Sequence, residues 1–258
     1  MTTLNLTQTL SVIHVQGEKT ADFLQSQLTN DVRQASEDTL QWQAYCNRQG
    51  LVQSIFALWG KQNDFYLLLA KDLAAVTLSL LQKYGVFAKI RCEVLSPEII
   101  LQLEAQSEKN LQWKIKEFNA QQLMLVWPSH FATMPAIGSD DLLLRFQLMQ
   151  HQFPWLCQKT IDLFRPHDLH LPELSIVNFQ KGCYPGQEII ARTHYRGKPK
   201  QSFFVYQEGG VQDIQPGQLF QEGDQQVGQV VDAIIGENTT YISAVLLLSY
   251  AEAKLPKN

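Results

Sequence analysis

The chain has 258 residues, a formal net charge of −4 and a pI near 5.9, a balance that argues against coating nucleic acid with the whole surface, because such binding relies on Lys and Arg neutralising phosphates. Hydrophobic residues at 45% and charged residues at 18% supply a packed core and exclude wholesale disorder; the length allows one large domain or two to three small ones. The opening Met-Thr-Thr-Leu-Asn-Leu-Thr-Gln lacks the basic stretch and apolar core of a secretory leader, and no apolar run approaches the roughly 20 residues of a membrane helix, so a cytoplasmic protein with no membrane partner is expected.

In chain order, Leu10–Gln16 alternates β-branched and polar residues as a half-buried strand does, and Gly17 ends it. The segment 20–28 places Phe23, Leu24 and Leu28 on one helical face with Thr20 as N-cap, and Asn30-Asp31 breaks it. Strands are predicted at 41–46, 51–59 and 65–69, with turns at Asn47-Arg-Gln-Gly50 and Gly60–Asp64. A helix over 72–84 with Gly85 as its C-cap follows, then strands near 88–94 and 99–105. This order suits an α+β fold with helices against antiparallel sheets. A further helix is expected over 142–150 and an irregular stretch over 162–175. After Lys200, strand-like runs at 202–206, 218–221, 226–235 and 240–249, separated by Gly-containing turns, suggest a small β-barrel. The expected division is 1–200 and 201–258.

Cys46, Cys92, Cys157 and Cys183 are dispersed, unlike the close pairs that hold zinc or a ferredoxin-type cluster, and no metal site is expected from them. His167-Asp168-Leu169-His170 lacks a further ligand at useful spacing. Cys183 lies in Asn178-Phe-Gln-Lys-Gly-Cys-Tyr-Pro-Gly-Gln-Glu-Ile-Ile-Ala-Arg192, where Pro185 suits a helix's first turn and good helix formers follow. Unpaired N–H groups at a helix start, with Lys181 and Arg192 as candidate cations, favour a thiolate. The residues admit two readings: a reactive exposed thiol, or a small apolar side chain buried in a turn. The run Arg192-Thr-His194-Tyr195-Arg196-Gly-Lys198-Pro-Lys200 likewise reads as an anion site or as a solvated connection.

Lys181-Gly-Cys-Tyr-Pro-Gly-Gln-Glu188 resembles the motif of the YgfZ family, Lys-Gly-Cys-aromatic-x-Gly-Gln-Glu, at all eight positions, and the likeness continues through Ala191-Arg192 and Arg196-Gly197. Phe23-Leu-Gln-Ser-Gln-Leu-Thr-Asn30-Asp31-Val32 and the 47–50 turn are similar to a helix and hairpin shared by that family and the aminomethyltransferase of the glycine cleavage system. The resemblance implies an aminomethyltransferase-like fold, with ferredoxin-like α+β lobes interleaved around a central channel that takes tetrahydrofolate or a derivative, capped by the barrel. It implies a monomeric accessory protein whose Cys183 supports assembly or repair of iron–sulfur client enzymes, including tRNA-thiomethylating ones. Lys181, Gly182, Tyr184, Gly186, Gln187, Glu188, Arg192, Arg196, Leu10, Leu144, Asn30 and Asp31 are the residues expected to frame the cofactor and loop. Leu10 and Leu144 fall where relatives carry aromatic residues, leaving Trp42, Tyr45 or Phe56 as other walls. The transferase's catalytic acid, shortly after its hairpin, is met here by Gln53 and Ser54, neither of which is a carboxylate base. A folate-dependent one-carbon transferase and an RNA-binding module are the alternatives.

Overall fold

The computed structural model describes residues 2–105, 112–119, 121–129, 138–197 and 199–255. In chain order these form β1 (Thr2–Asn5), β2 (Leu10–Gln16), α1 (Thr20–Gln25), β3 (Gln41–Cys46), β4 (Val52–Lys61), β5 (Asp64–Ala70), α2 (Ala74–Gly85), β6 (Arg91–Leu95), β7 (Glu98–Ala105), β8 (Lys114–Phe118), β9 (Gln122–Ser129), α3 (Asp140–Gln150), α4 (Gln187–Arg196), β10 (Gln201–Gly209), β11 (Leu219–Glu222), β12 (Gln225–Ile235), β13 (Thr239–Leu247) and α5 (Leu248–Lys254). Three sheets result. The first runs β3-β4-β5-β2-β6 and is antiparallel throughout; the second runs β1-β7-β9-β8 and pairs β7 with β9 in parallel; the third runs β10-β13-β12-β11. The architecture is the expected α+β class.

The first sheet carries the core. β4 is buried from Ser54 to Gly60 on both faces, as a strand covered on both sides must be, while α2 packs over β2 and β6. One continuous apolar cluster joins Phe56, Leu67 and Leu81 of this lobe to Leu101, Leu125 and Trp127 of the second sheet and to Phe203, Val231 and Val245 of the third. α3 bridges the outer sheets, touching both β1 and β12. Its Arg145 donates through Nε to Asp232 Oδ2 (3.0 Å), through Nη2 to Asp232 Oδ1, and also to the Ala233 carbonyl (2.9 Å). The Asp232 carboxyl is buried, which pushes it up to about 6 against the pull of Arg145, whose own charge the pair reinforces.

Several local expectations are corrected. Thr20 sits inside α1, its hydroxyl donating back to the Gly17 carbonyl at 2.7 Å, so Lys19 takes the cap position. Gly85 remains right-handed, and the chain turns only at Lys89 (φ 54°); what Gly85 supplies is room, since a Cβ there would lie 2.5 Å from the Ile90 side chain. Pro185 stands just before the helix, whose N-cap is Gly186. The C-terminal strands form an open sheet with β10 and β11 at its edges instead of a barrel. The final run leaves the sheet at Leu248 and becomes α5, whose Ala251 and Tyr250 pack with Ile242, Ala244 and Leu246. A helix thus covers the face that closure would have covered.

Candidate functional site

The three sequence stretches singled out separately converge. Gly186, at φ 79°, seats its backbone against the 47–50 turn: a Cβ there would lie 2.5 Å from the Asn47 carbonyl oxygen and 2.7 Å from Gly50 Cα. Gly50, at φ 74°, faces the Ile189 and Ile190 side chains of α4 in return. Only glycine occupies these left-handed positions and this separation without strain. The turn is closed by Gly50 N–H donating to the Asn47 carbonyl (3.0 Å), and the Asn47 side chain accepts from Gln49 N–H (2.9 Å) and Leu51 N–H (3.0 Å).

Lys181 supplies the second clamp. Its buried ammonium donates to the carbonyls of Gln25 (2.7 Å), the last residue of α1, and of Leu28 just beyond it, and lies 5.1 Å from the Tyr184 ring centroid. Burial lowers its pKa to about 8, with Asp31 opposing and Arg33 assisting. Lys181 therefore serves the loop's anchorage; its Nζ is committed to two carbonyls and does not act as the free cation expected beside the thiol. Asn30 and Asp31 are likewise ties: Asn30 Nδ2 donates to the Ser175 carbonyl (2.7 Å), and Asp31 Oδ1 accepts from Gln25 Nε2 (3.0 Å). Tyr184 is buried, and its hydroxyl finds no hydrogen-bond partner among the described residues. Gln187 Nε2 reaches the Lys181 carbonyl at 3.4 Å.

Between the clamps Cys183 is exposed, and around Gly182 a Cβ would meet nothing within 4 Å. The buried-turn reading of the cysteine is thereby excluded. Cys46 and Cys92 are buried and Cys157 half-buried; burial pushes the Cys92 thiol up to about 11 and raises those of Cys46 and Cys157 as well. Glu188 and Arg192 lie on the exposed face of α4, 3.8 Å apart, and Arg196 is exposed in its last turn. Residues 192–196 of the basic run are thus helical instead of a connection, with His194 stacked on Phe179 (3.7 Å between centroids); Lys198 lies outside the described residues. His170 bonds Ser202 through Nε2, and the buried ring nitrogens of His167 have no partner.

Leu10 is placed elsewhere, in a hollow between the first and second sheets bordered by Trp42, Ile55, Trp113, Leu148 and Phe153. Trp42 packs against Trp113 (5.5 Å) and Phe153 (4.4 Å), and a cavity of ≈ 20 Å³ is left. Leu144 is buried on α3; Tyr45 and Phe56 are core residues. One turn beyond Leu144, and outside the lining of that hollow, the wholly buried Gln147 has neither amide atom hydrogen-bonded among the described residues, and the Trp113 indole N–H on the hollow's border is buried without a partner among them too. Orphaned buried amides are costly, and this one offers the donor and acceptor that a pterin's amide edge demands. At the hollow itself the Trp113 indole N–H is the orphaned donor that a folate head group could use, and the space as it stands holds about one water. Gln147 was missed in the sequence, although a glutamine on the apolar face with Leu144, Leu148 and His151 was a legible anomaly. Asp162 was missed also: its carboxylate accepts from Asn47 Nδ2 (2.7 Å) and Gln53 Nε2 (3.1 Å), bringing an acid to the hairpin that lacks one in sequence.

No family model matches the chain. Among individual proteins, one from Colwellia psychrerythraea named tRNA-modifying protein YgfZ is 27% identical over 252 residues, covering 88% of this chain and 74% of its own length. The protein of that name from Aliivibrio fischeri is 24% identical over 251 residues with the same coverage. The chain is a relative of the YgfZ proteins. An uncharacterized Haemophilus influenzae protein is 29% identical over 216 residues, 83% of this chain and 76% of that one. The crystal structure of glycine cleavage system aminomethyltransferase T from Bartonella henselae superposes with a TM-score of 0.61 at 13% identity, covering 96% of this chain and 78% of that one. This structure has the fold that the motif implied. Among the described residues, no helix is long and apolar enough to cross a membrane.

Proposed function

We propose that the chain is an accessory protein that presents the Cys183 sulfur to iron–sulfur client enzymes, among them those that thiomethylate tRNA, and so supports their assembly or repair. The observation that carries this reading is an exposed thiol on a loop fixed by backbone contact at Gly186 and by the Lys181 ammonium. A fixed loop lets the sulfur meet a partner without an ordering cost. One thiolate supplies one ligand or one nucleophilic sulfur, and the client furnishes the rest of any cluster's coordination. The same proposal takes the chain as a cytoplasmic monomer, with residues 1–200 as the folate-binding region and 201–258 as an appended unit.

Tetrahydrofolate is the proposed ligand of the central hollow. Trp113 would donate one hydrogen bond to its head group, and Leu10 with Leu148 would form the apolar wall. Bound there, the group supplies a carrier for a one-carbon unit. The test of the main reading is a deletion strain carrying Cys183→Ala: iron–sulfur enzyme activities are expected to fall to the level of the deletion, above all under oxidative stress, while the purified variant keeps its stability. Full rescue by Cys183→Ala rejects it. A one-carbon transferase draws on the Asp162 carboxylate at Gln53; it requires that pure protein with tetrahydrofolate and an aminomethyl donor form a methylene folate, and that Asp162→Asn abolish this.

A further inference from the structure

Resting on the client reading of Cys183, we propose that the corner where α2 turns into β6 is where the client protein holds on, through an acidic face that carries an apolar socket. The corner displays side chains that folding leaves outside: Phe87 is 92% exposed, Val86 68% and Tyr84 36%. Single exposed apolar residues are ordinary, but three within four positions make a patch that contributes little to the fold and much to a contact.

The patch is held rigidly. Lys89 N–H donates to the Val86 carbonyl (3.2 Å) and Ile90 N–H to the Gly85 carbonyl (3.3 Å), so the chain reverses through the left-handed Lys89 (φ 54°). The Ile90 side chain fills the space over Gly85, and the Gly17 turn rests on the same corner, where a Cβ would lie 3.2 Å from the Lys89 carbonyl oxygen. An anchor fixed in this way binds without an ordering cost.

Charge selects the partner. Lys83, Lys89 and Arg91 flank the patch and Lys19 follows the Gly17 turn; all four are exposed, and none has an ion pair or side-chain hydrogen bond among the described residues. Lys83 lies 5.3 Å from the Tyr84 ring centroid. The carboxylates of segments 17–22 and 82–93 are Glu18, Asp22 and Glu93; Asp22 faces Arg33 at 3.8 Å and Glu93 faces His14 at 3.6 Å, which leaves Glu18 against four cations. On a chain of net charge −4, this local excess complements an acidic surface.

α1 joins the corner to the cysteine loop. Phe23 lies 3.7 Å from where a Gly85 Cβ would stand, and the Gln25 carbonyl at the other end of the helix accepts from Lys181. The six residues of α1 make it about 9 Å long, so one interface of ordinary size, about 800 Å² a side, spans both features.

The test joins the deletion strain to calorimetry on the purified chain with a purified tRNA-thiomethylating enzyme. Phe87→Ser and the triple variant K19Q/K83Q/R91Q are expected to keep the urea midpoint, to bind that enzyme roughly tenfold more weakly, and to lose rescue of iron–sulfur enzyme activity. Binding by the native chain should weaken with salt, and the triple variant should lose that dependence. Cys183→Ala should bind as the native chain does and still fail to rescue, which separates docking from sulfur chemistry. No binding by the native chain, or native affinity and full rescue in Phe87→Ser, overturns the corner while a failing Cys183→Ala keeps the reading it rests on; full rescue by Cys183→Ala rejects that reading and the corner's client role together. A native dimer that Phe87→Ser makes monomeric, or binding to vesicles of equal parts phosphatidylglycerol and phosphatidylcholine that Phe87→Ser loses, also overturns the proposal, by assigning the patch to a second copy or to lipid.

Discussion

The loop that carries Cys183 and the hollow beside Leu10 are built in opposite ways. The loop is locked by backbone and by one buried ammonium, and its functional atom already faces solvent. The hollow is closed by side chains, Trp42 against Trp113 and Phe153, and the Trp113 indole N–H on its border has no partner among the described residues. The loop is finished before any partner arrives, while the hollow is shut by rotatable rings. Substitution of the loop's anchors, Gly186 and Lys181, should therefore cost global stability, and ligand at the hollow should be seen as local side-chain motion.

The strongest way to break this contrast is through α3, which carries Gln147 and Leu148 and is tied to β12 by Arg145. Arg145→Leu strands the Asp232 carboxylate, whose side chain is 2% exposed, and is expected to cost about 3–5 kcal/mol in urea unfolding. A smaller loss would mean that Asp232 takes up a proton and the helix stays in place. Next comes Gly186→Ala, for which a Cβ 2.5 Å from the Asn47 carbonyl at φ 79° predicts a loss of about 2–4 kcal/mol. Gly182→Ala, with open space around it, should stay within about 0.5 kcal/mol. Equal effects at the two glycines would dissolve the idea of a backbone lock.

Lys181→Met leaves two carbonyls of the α1 terminus unpaired and should cost about 1–3 kcal/mol. It also has a pH readout. Burial lowers the folded-state amine from 10.5 to about 8, so between those values the unfolded chain binds more protons and stability rises with pH. Below that window both states are protonated and the burial cost is carried in full. The stability difference between native protein and Lys181→Met should therefore grow in favour of the native protein from pH 8 to 10; a flat difference contradicts the assignment. The smallest effect is expected at the hollow: tetrahydrofolate should alter tryptophan emission without moving the far-ultraviolet circular dichroism. Calorimetric binding with unchanged emission would place the ligand away from Trp42 and Trp113.

Much of this was legible in the chain itself, for physical reasons that differ by residue. β3 through β5 follow one another through short turns, so alternation and turn residues mark them directly. β8 and β9 escaped although a short turn joins them, because β7 pairs with β9 in parallel across that hairpin and a register shift breaks the alternation in Lys114–Phe118. Gly85 has a cap residue's chemistry but was placed to admit Ile90, a contact no local pattern records. At the site, the motif located Cys183, yet Lys181 looked like a free cation because its partners, Gln25 and Leu28, are more than 150 positions away. Asp162 and Gln147 are single polar residues whose meaning arises only from the neighbours that folding brings to them.

The span of that lysine bond bears on how the protein is made. Lys181 and Gln25 are 156 positions apart, and at about 5–20 residues added per second the ribosome extrudes the first helix about 8–30 s before the amine that seals it. During that interval the helix end is held by water, and the hairpin turn lacks the glycine that later rests on it. A nascent chain interrupted ahead of the motif therefore carries an early lobe with an unfinished edge, which makes it a substrate for holding chaperones until synthesis resumes.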